Sequence, residues 1–304
     1  MTRSADWRVS AVPELRSILL VEKAAVPART MRIADMSTNP DKQAVRAEAL
    51  AKAAYERSLA TTIGAGEMYW VSADMVGLAL DAAGDVPGFN PATDLPAPHG
   101  FMVLEKPLPA LRTWVFDTDY QKRDVDLEVD LITWSTVGKG IRIESFCRNE
   151  RVPNAIDNGS FFEPVWFHTG DADGLYEFDD EAAVELTVQL MSFLAAAALL
   201  MASPGVADRT TLVPKTPAAR KDAKRGRSAN VTVISLHAPK HVDTGDADES
   251  GRVYTHRWVV RGHWRNQPHG PNRSRRSVRW IPSYIKGPAG KPLKETERVW
   301  AWRR

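Results

Sequence analysis

Residues 186–202, LTVQLMSFLAAAALLMA, narrow the choice of fold more than any other stretch of this chain. Thr187, Gln189 and Ser192 interrupt the run, the acidic DDEAAVE leads into it, and basic flanks are missing. It is therefore short for a bilayer span of about 20 residues and reads as a core helix. A start at about Asp179 sets Asp179, Asp180 and Glu181 against the positive end of the helix dipole. A helix that is apolar nearly all round has to be wrapped on most sides. The first domain is expected to be built on it.

Charge divides the chain. Residues 1–208 hold 18 Lys+Arg against 31 Asp+Glu, a net of −13, whereas residues 209–304 hold 22 against 7, a net of +15; together they give the overall +2. The 304 residues suffice for two domains. The pattern predicts an α+β fold in three parts. Residues 1–203 form an acidic α+β domain, 204–230 a basic Pro/Ala-rich mobile linker, and 231–304 a small basic antiparallel β domain. The single cysteine, Cys147, excludes a disulfide framework and reads as a small buried residue in a strand. The N-terminus lacks the apolar core of a signal peptide, and no membrane contact is expected, so the reading is cytoplasmic.

Along the first domain, residues 1–35 signal only a short strand or helix around SILLVEK. Residues 39–63, dense in Ala, Glu, Lys and Arg, predict a helix capped at Asn39, and a second helix follows a cap at Ser72 and stops at Gly84. GFMVLEKPL predicts a strand closed by Pro107, and LITWSTV and IRIESFCR predict a hairpin turning at Gly138-Lys139-Gly140. Asp124, Asp126, Glu128 and Asp130 alternate with aliphatic residues on one strand face. Such carboxylates could hold Mg²⁺, but alternation of this kind also marks any half-buried strand. In the basic part VTVISLH reads as a strand, DTGDADESGR as an acidic loop and RVWAWRR as a last strand.

Residues 254–286, YTHRWVVRGHWRNQPHGPNRSRRSVRWIPSYIK, predict a hairpin around the turn-forming NQPHGPNRS. Alternation sends Tyr254, His256, Trp258, Val260 and Trp264 to one face, and Arg257, Arg261, His263 and Arg265 to the other. The return strand puts Val278, Trp280 and Tyr284 on one face and Arg279 on the other, with Arg273, Arg275 and Arg276 at the loop.

Guanidinium groups and rings in one element suit phosphates and bases. The favoured reading is nucleic-acid binding through Arg257, Arg261, Arg265, Arg273, Arg275, Arg276, Arg279 and Lys286. RNA is preferred over duplex DNA, because no recognition helix is evident. An alternative is a metal-independent ribonuclease toxin or host-takeover effector in which His263, Arg265 and Tyr284 act on the 2′-hydroxyl and the phosphorane. A third reading is an interaction protein whose acidic and basic parts dock on each other, on a protein partner or within a homo-oligomer. No metal site and no cofactor are expected. His237, His241, His256, His263 and His269 lack the cysteine or carboxylate help that zinc wants.

Two short motifs carry a resemblance. Leu95, Pro96, Pro98, Gly100, Phe101, Glu105 and Pro107 form one; His256, Arg261, Gly262, His263, Trp264, Arg265, Trp280, Ile281 and Gly287 form the other. On these residues the chain resembles uncharacterised actinobacterial and actinophage proteins. The resemblance implies a shared architecture and a prophage setting, and it supplies no activity.

Overall fold

The computed structural model describes residues 7–116, 122–137, 140–152, 161–170, 181–237, 256–287 and Pro292. Two long helices come first, α1 (Val12–Asp35) and α2 (Lys42–Ala65). α1 is far longer than its weak local signals predict, because Val12, Leu15, Ile18 and Leu19 bring their apolar face against a sheet. At α2 the cap is Asp41, whose side chain accepts the Ala44 N–H at 2.9 Å, in place of the expected Asn39.

β1 (Glu67–Val71) leads into α3 (Ala73–Ala83), where Ser72 caps and Gly84 ends the helix as expected. A single turn, α4 (Pro91–Asp94), precedes β2 (His99–Phe116). This strand runs through Pro107 instead of stopping there, with register shifts on either side of Leu108 that accommodate the missing N–H. β3 (Lys122–Val137) and β4 (Gly140–Arg148) form the expected hairpin, although Gly138 and Lys139 lie outside the described residues. β5 (Phe162–Gly170) follows in a passage that reads as turns.

Then come α5 (Glu181–Ala202), β6 (Ala207–Leu212), α6 (Pro217–Lys224) and β7 (Val231–Leu236). The seven strands make one mixed sheet in the order β5-β4-β3-β2-β1-β7-β6, with β1 parallel to both its neighbours. Residues 204–230, expected as a mobile linker, thus carry a strand and a helix. The Thr216 hydroxyl caps α6, and buried Asp222 ties it to Arg16 of α1 at 2.9 Å. VTVISLH is a strand as expected, but it enters the large sheet beside β1.

Alternating residues of the central strands supply two cores. Met68, Trp70, Phe101 and Val103 pack under α1 and α2, while Tyr69, Val71, Met102 and Leu104 pack against α3 and α5. The long apolar run therefore sits where its composition demands. Among the described residues α5 is the one helix long and apolar enough to cross a membrane, and 61% of its apolar window, Glu185–Ala202, is buried.

The basic end holds β8 (Trp258–Val260), β9 (His263–His269), β10 (Arg275–Ile281) and β11 (Tyr284–Lys286). β9 pairs with β10 and β8 with β11, so the expected long hairpin is two ladders broken at Arg261-Gly262 and Pro282-Ser283. Two tryptophans of this end turn toward the main core. Trp264 and Trp280 meet edge to face at 5.1 Å between centroids, Trp280 joins the α3–α5 core, and the Trp264 indole donates to the Ala82 carbonyl at 3.0 Å. The expected loop DTGDADESGR and last strand RVWAWRR lie outside the described residues.

Candidate functional site

The β9–β10 ladder sorts its side chains as alternation predicts. His263, Arg265, Arg275 and Arg279 share the exposed face, opposite Trp264, Val278 and Trp280. Arg265 stands directly across from Arg279. Like charges in that position oppose folding by roughly 0.2–1 kcal/mol. Among the described residues neither is in an ion pair, and the same holds for Arg273, Arg275 and Arg276.

The turn that presents them is unusual. Gly270 takes φ 78°, and Asn272 and Arg273 also sit at positive φ, 52° and 56°. An arginine held there carries a conformational cost and persists because the surrounding turn holds it in place. Arg261 and Lys286 are exposed as well, and Arg257 is half-buried, its N–H donating to the Pro292 carbonyl at 2.8 Å.

The proposed catalytic residues fall on two neighbouring ladders. His263 and Arg265 lie on β9, with the His263 Nδ1 3.2 Å from the Arg261 carbonyl, whereas Tyr284 belongs to β11 and pairs with Val260. Of the rings in this region, Trp264 and Trp280 fasten the ladder to the core. Trp280 is buried and Trp264 half-buried, so these two are withdrawn from stacking, whereas Tyr284 stays exposed.

Elsewhere the expected acid face of β3 does hold, with a different meaning. Asp130, fully buried, accepts the Arg148 N–H at 2.9 Å and lies 3.5 Å from Arg151; Arg151 also binds Glu128. Asp124 and Asp126 flank the Arg112 guanidinium at 3.5 and 3.7 Å. Among the described residues no group of three or more His, Cys, Asp or Glu could hold a metal ion. Burial pushes Asp130 above the ordinary carboxylate range, and Arg148 and Arg151 pull it back. Cys147 is buried, its thiol pushed up to about 12 chiefly by desolvation, as an inert strand residue should be.

A second buried cluster escaped the sequence reading. Lys23 of α1 bridges Glu56 of α2 at 3.3 Å and Glu144 of β4 at 3.5 Å, and the Tyr55 hydroxyl donates to Glu144. Arg142 beside it reaches Ser58 and Thr62. Burial raises the Glu144 carboxyl against the pull of Lys23. No local motif announces such a cluster, since its members come from three separated segments.

The resembling motifs have structural explanations. A Cβ on Gly100 would meet the Trp134 ring at 2.0 Å, and one on Gly262 would meet the Trp280 ring at 2.5 Å, so each glycine leaves room for a tryptophan laid over the backbone. Glu105 accepts the Ala73 N–H at 2.8 Å, at the start of α3.

A family model described as AcrVA2-like, the anti-CRISPR type V subtype A2 family, matches residues 69–287, well over half of the chain. The chain belongs to that family. The matched span includes the whole basic ladder region and leaves α1 and α2 outside. A crystal structure of AcrVA2 aligns at 10% identity with a TM-score of 0.39, covering 89% of this chain and 94% of that one, a likeness too distant to place any residue. No curated protein matches. Family membership overturns the nucleic-acid-binding and ribonuclease readings and agrees with the alternatives of a host-takeover effector and an interaction protein.

Proposed function

We propose that this chain is an inhibitor of type V CRISPR defence, acting in the cytoplasm of a phage-infected or prophage-bearing cell by contact with a protein or nucleoprotein component of that system. The family match over residues 69–287 carries this reading. The contact surface we assign is the basic end, with Arg265, Arg275 and Arg279 on one face at its centre, Arg273 and Arg276 beside the turn, and Arg257, Arg261 and Lys286 at its margin. Support comes from an arginine row held on a firmly docked ladder with no carboxylate opposite it among the described residues. Such a surface speeds and orients encounter with an acidic face.

Plasmid interference in a host carrying a type V system tests the proposal. Expression of the chain should restore transformation, and the variant Arg265→Ala/Arg275→Ala/Arg276→Ala/Arg279→Ala should lose at least tenfold of that effect, about 1.4 kcal/mol of binding. Failure of the unaltered chain to restore transformation in any such host sinks the inhibitor reading. Full activity of the variant moves the contact to another surface.

A further inference from the structure

On the α1–α2 side of the sheet, opposite the core that holds Trp280, a cleft of about 730 Å³ opens between the two helices and the end of α6. Ser17, Leu20 and Ala24 of α1 form one wall, Ala60 and Gly64 of α2 the other, and Lys221, Arg225 and Arg227 close one end. The volume falls within the roughly 300–1,000 Å³ of small-ligand sites. No carboxylate lines it.

The charges of this cleft do not cancel. Asp222, behind Arg227, already holds the buried Arg16 guanidinium at 2.9 Å and reaches Arg227 only at 3.9 Å. Among the described residues Lys221 and Arg225 have no ion-pair partner. Arg227 is also preset: its guanidinium lies over Gly64, where a Cβ would come within 3.2 Å of it. The turn's own N–H groups, from Arg225, Gly226 and Arg227, are satisfied by the Asp222 and Ala223 carbonyls, so side chains must do the recognising. Three cations over walls of small residues, with the Ser17, Thr61 and Ser228 hydroxyls among them, favour a ligand with at least two negative charges on a compact body.

We infer that this cleft binds a small organic polyanion, a phosphate ester or a polycarboxylate, at Lys221, Arg225 and Arg227. The site is independent of the inhibitor reading and of the basic ladder. Calorimetric titration of the full chain with pyrophosphate and with citrate, against sodium chloride at matched ionic strength, tests it. One anion per chain should bind, at least tenfold more weakly to Lys221→Ala/Arg225→Ala and to Ala60→Trp, which fills the cleft and keeps its charges. Arg275→Ala/Arg276→Ala should bind as the unaltered chain does. Tighter pyrophosphate assigns a phosphate ligand, and tighter citrate a polycarboxylate. Binding that survives both cleft variants, that vanishes with the ladder variant, or that does not exceed the chloride control overturns the inference.

Discussion

β3 and the β9–β10 ladder each carry a row of like charges at alternating positions, and the molecule treats the two rows oppositely. Asp124, Asp126, Glu128 and Asp130 each meet an arginine from a neighbouring segment, Arg112, Arg148 or Arg151. Arg265, Arg275 and Arg279 meet no carboxylate among the described residues, and Arg265 is set against Arg279. The first row is internal structure, completed by its own chain. The second meets no carboxylate among the described residues, and the tryptophans on the reverse face anchor the ladder in spite of the repulsion along it. Spacing alone cannot tell the rows apart; the neighbours do.

The largest way to break this contrast is at Asp130. Replacing it with Ala leaves Arg148, whose side chain is 19% exposed, with only the exposed Glu150 as a carboxylate partner among the described residues, and also removes the acceptor of its N–H. Urea unfolding should show a loss of about 3 kcal/mol. A loss under about 1 kcal/mol would mean that Arg148 and Arg151 find water readily and that the acid row is not structural. Next comes Trp264→Ala, which removes a half-buried ring and its bond to the Ala82 carbonyl; about 2 kcal/mol is expected. Hydrogen exchange should quicken in β9 and β10 and leave β1 to β4 unchanged. If protection falls everywhere, the ladder and the sheet unfold as one unit and the anchoring argument changes.

Glu144 sharpens the comparison by pH. Its carboxyl is raised above the ordinary 4.5 because burial outweighs Lys23, so the folded state holds its proton more tightly than the unfolded chain does. Stability conferred by the protonated form is present in acid and lost as pH rises above about 4.5 toward the folded value. The stability of the unaltered protein relative to Glu144→Gln should therefore fall across that window. A rise instead would show that Lys23 and Arg142 dominate and that the carboxyl is depressed.

How much of this was legible follows from where each signal lives. α5, α3 with its Ser72 cap and the β3–β4 hairpin were plain because composition, caps and turns are local. The facing of Trp264 and Trp280 against Arg265 and Arg279 was plain for the same reason, since strand alternation needs no tertiary knowledge. α1 reads in sequence as no more than a short strand or helix around SILLVEK, because its apolar residues make sense only against Phe101 and Val103 of a sheet laid down later. β6, α6 and β7 were assigned outside the main domain because their charge and proline content masked Asp222, which binds Arg16 two hundred residues away. Trp264 and Trp280 show a related limit: a ring on a strand looks the same in sequence whether it faces a base or the Ala82 carbonyl.

The smallest expected effect is the most telling for the arginine row. Arg279→Ala should leave stability unchanged or raise it by a few tenths of a kcal/mol, since it removes repulsion from Arg265 across the ladder. Arg265→Ala should do the same, and the double substitution should gain no more than either single one, because one repulsion is relieved only once. The gain should shrink in high salt, where the repulsion is already screened. A destabilisation of 1 kcal/mol or more by either change would show an acidic partner within the chain itself. The two rows would then be alike, both closed internally, and the basic ladder would lose its claim to an outside partner while the tryptophan anchor stood unaffected.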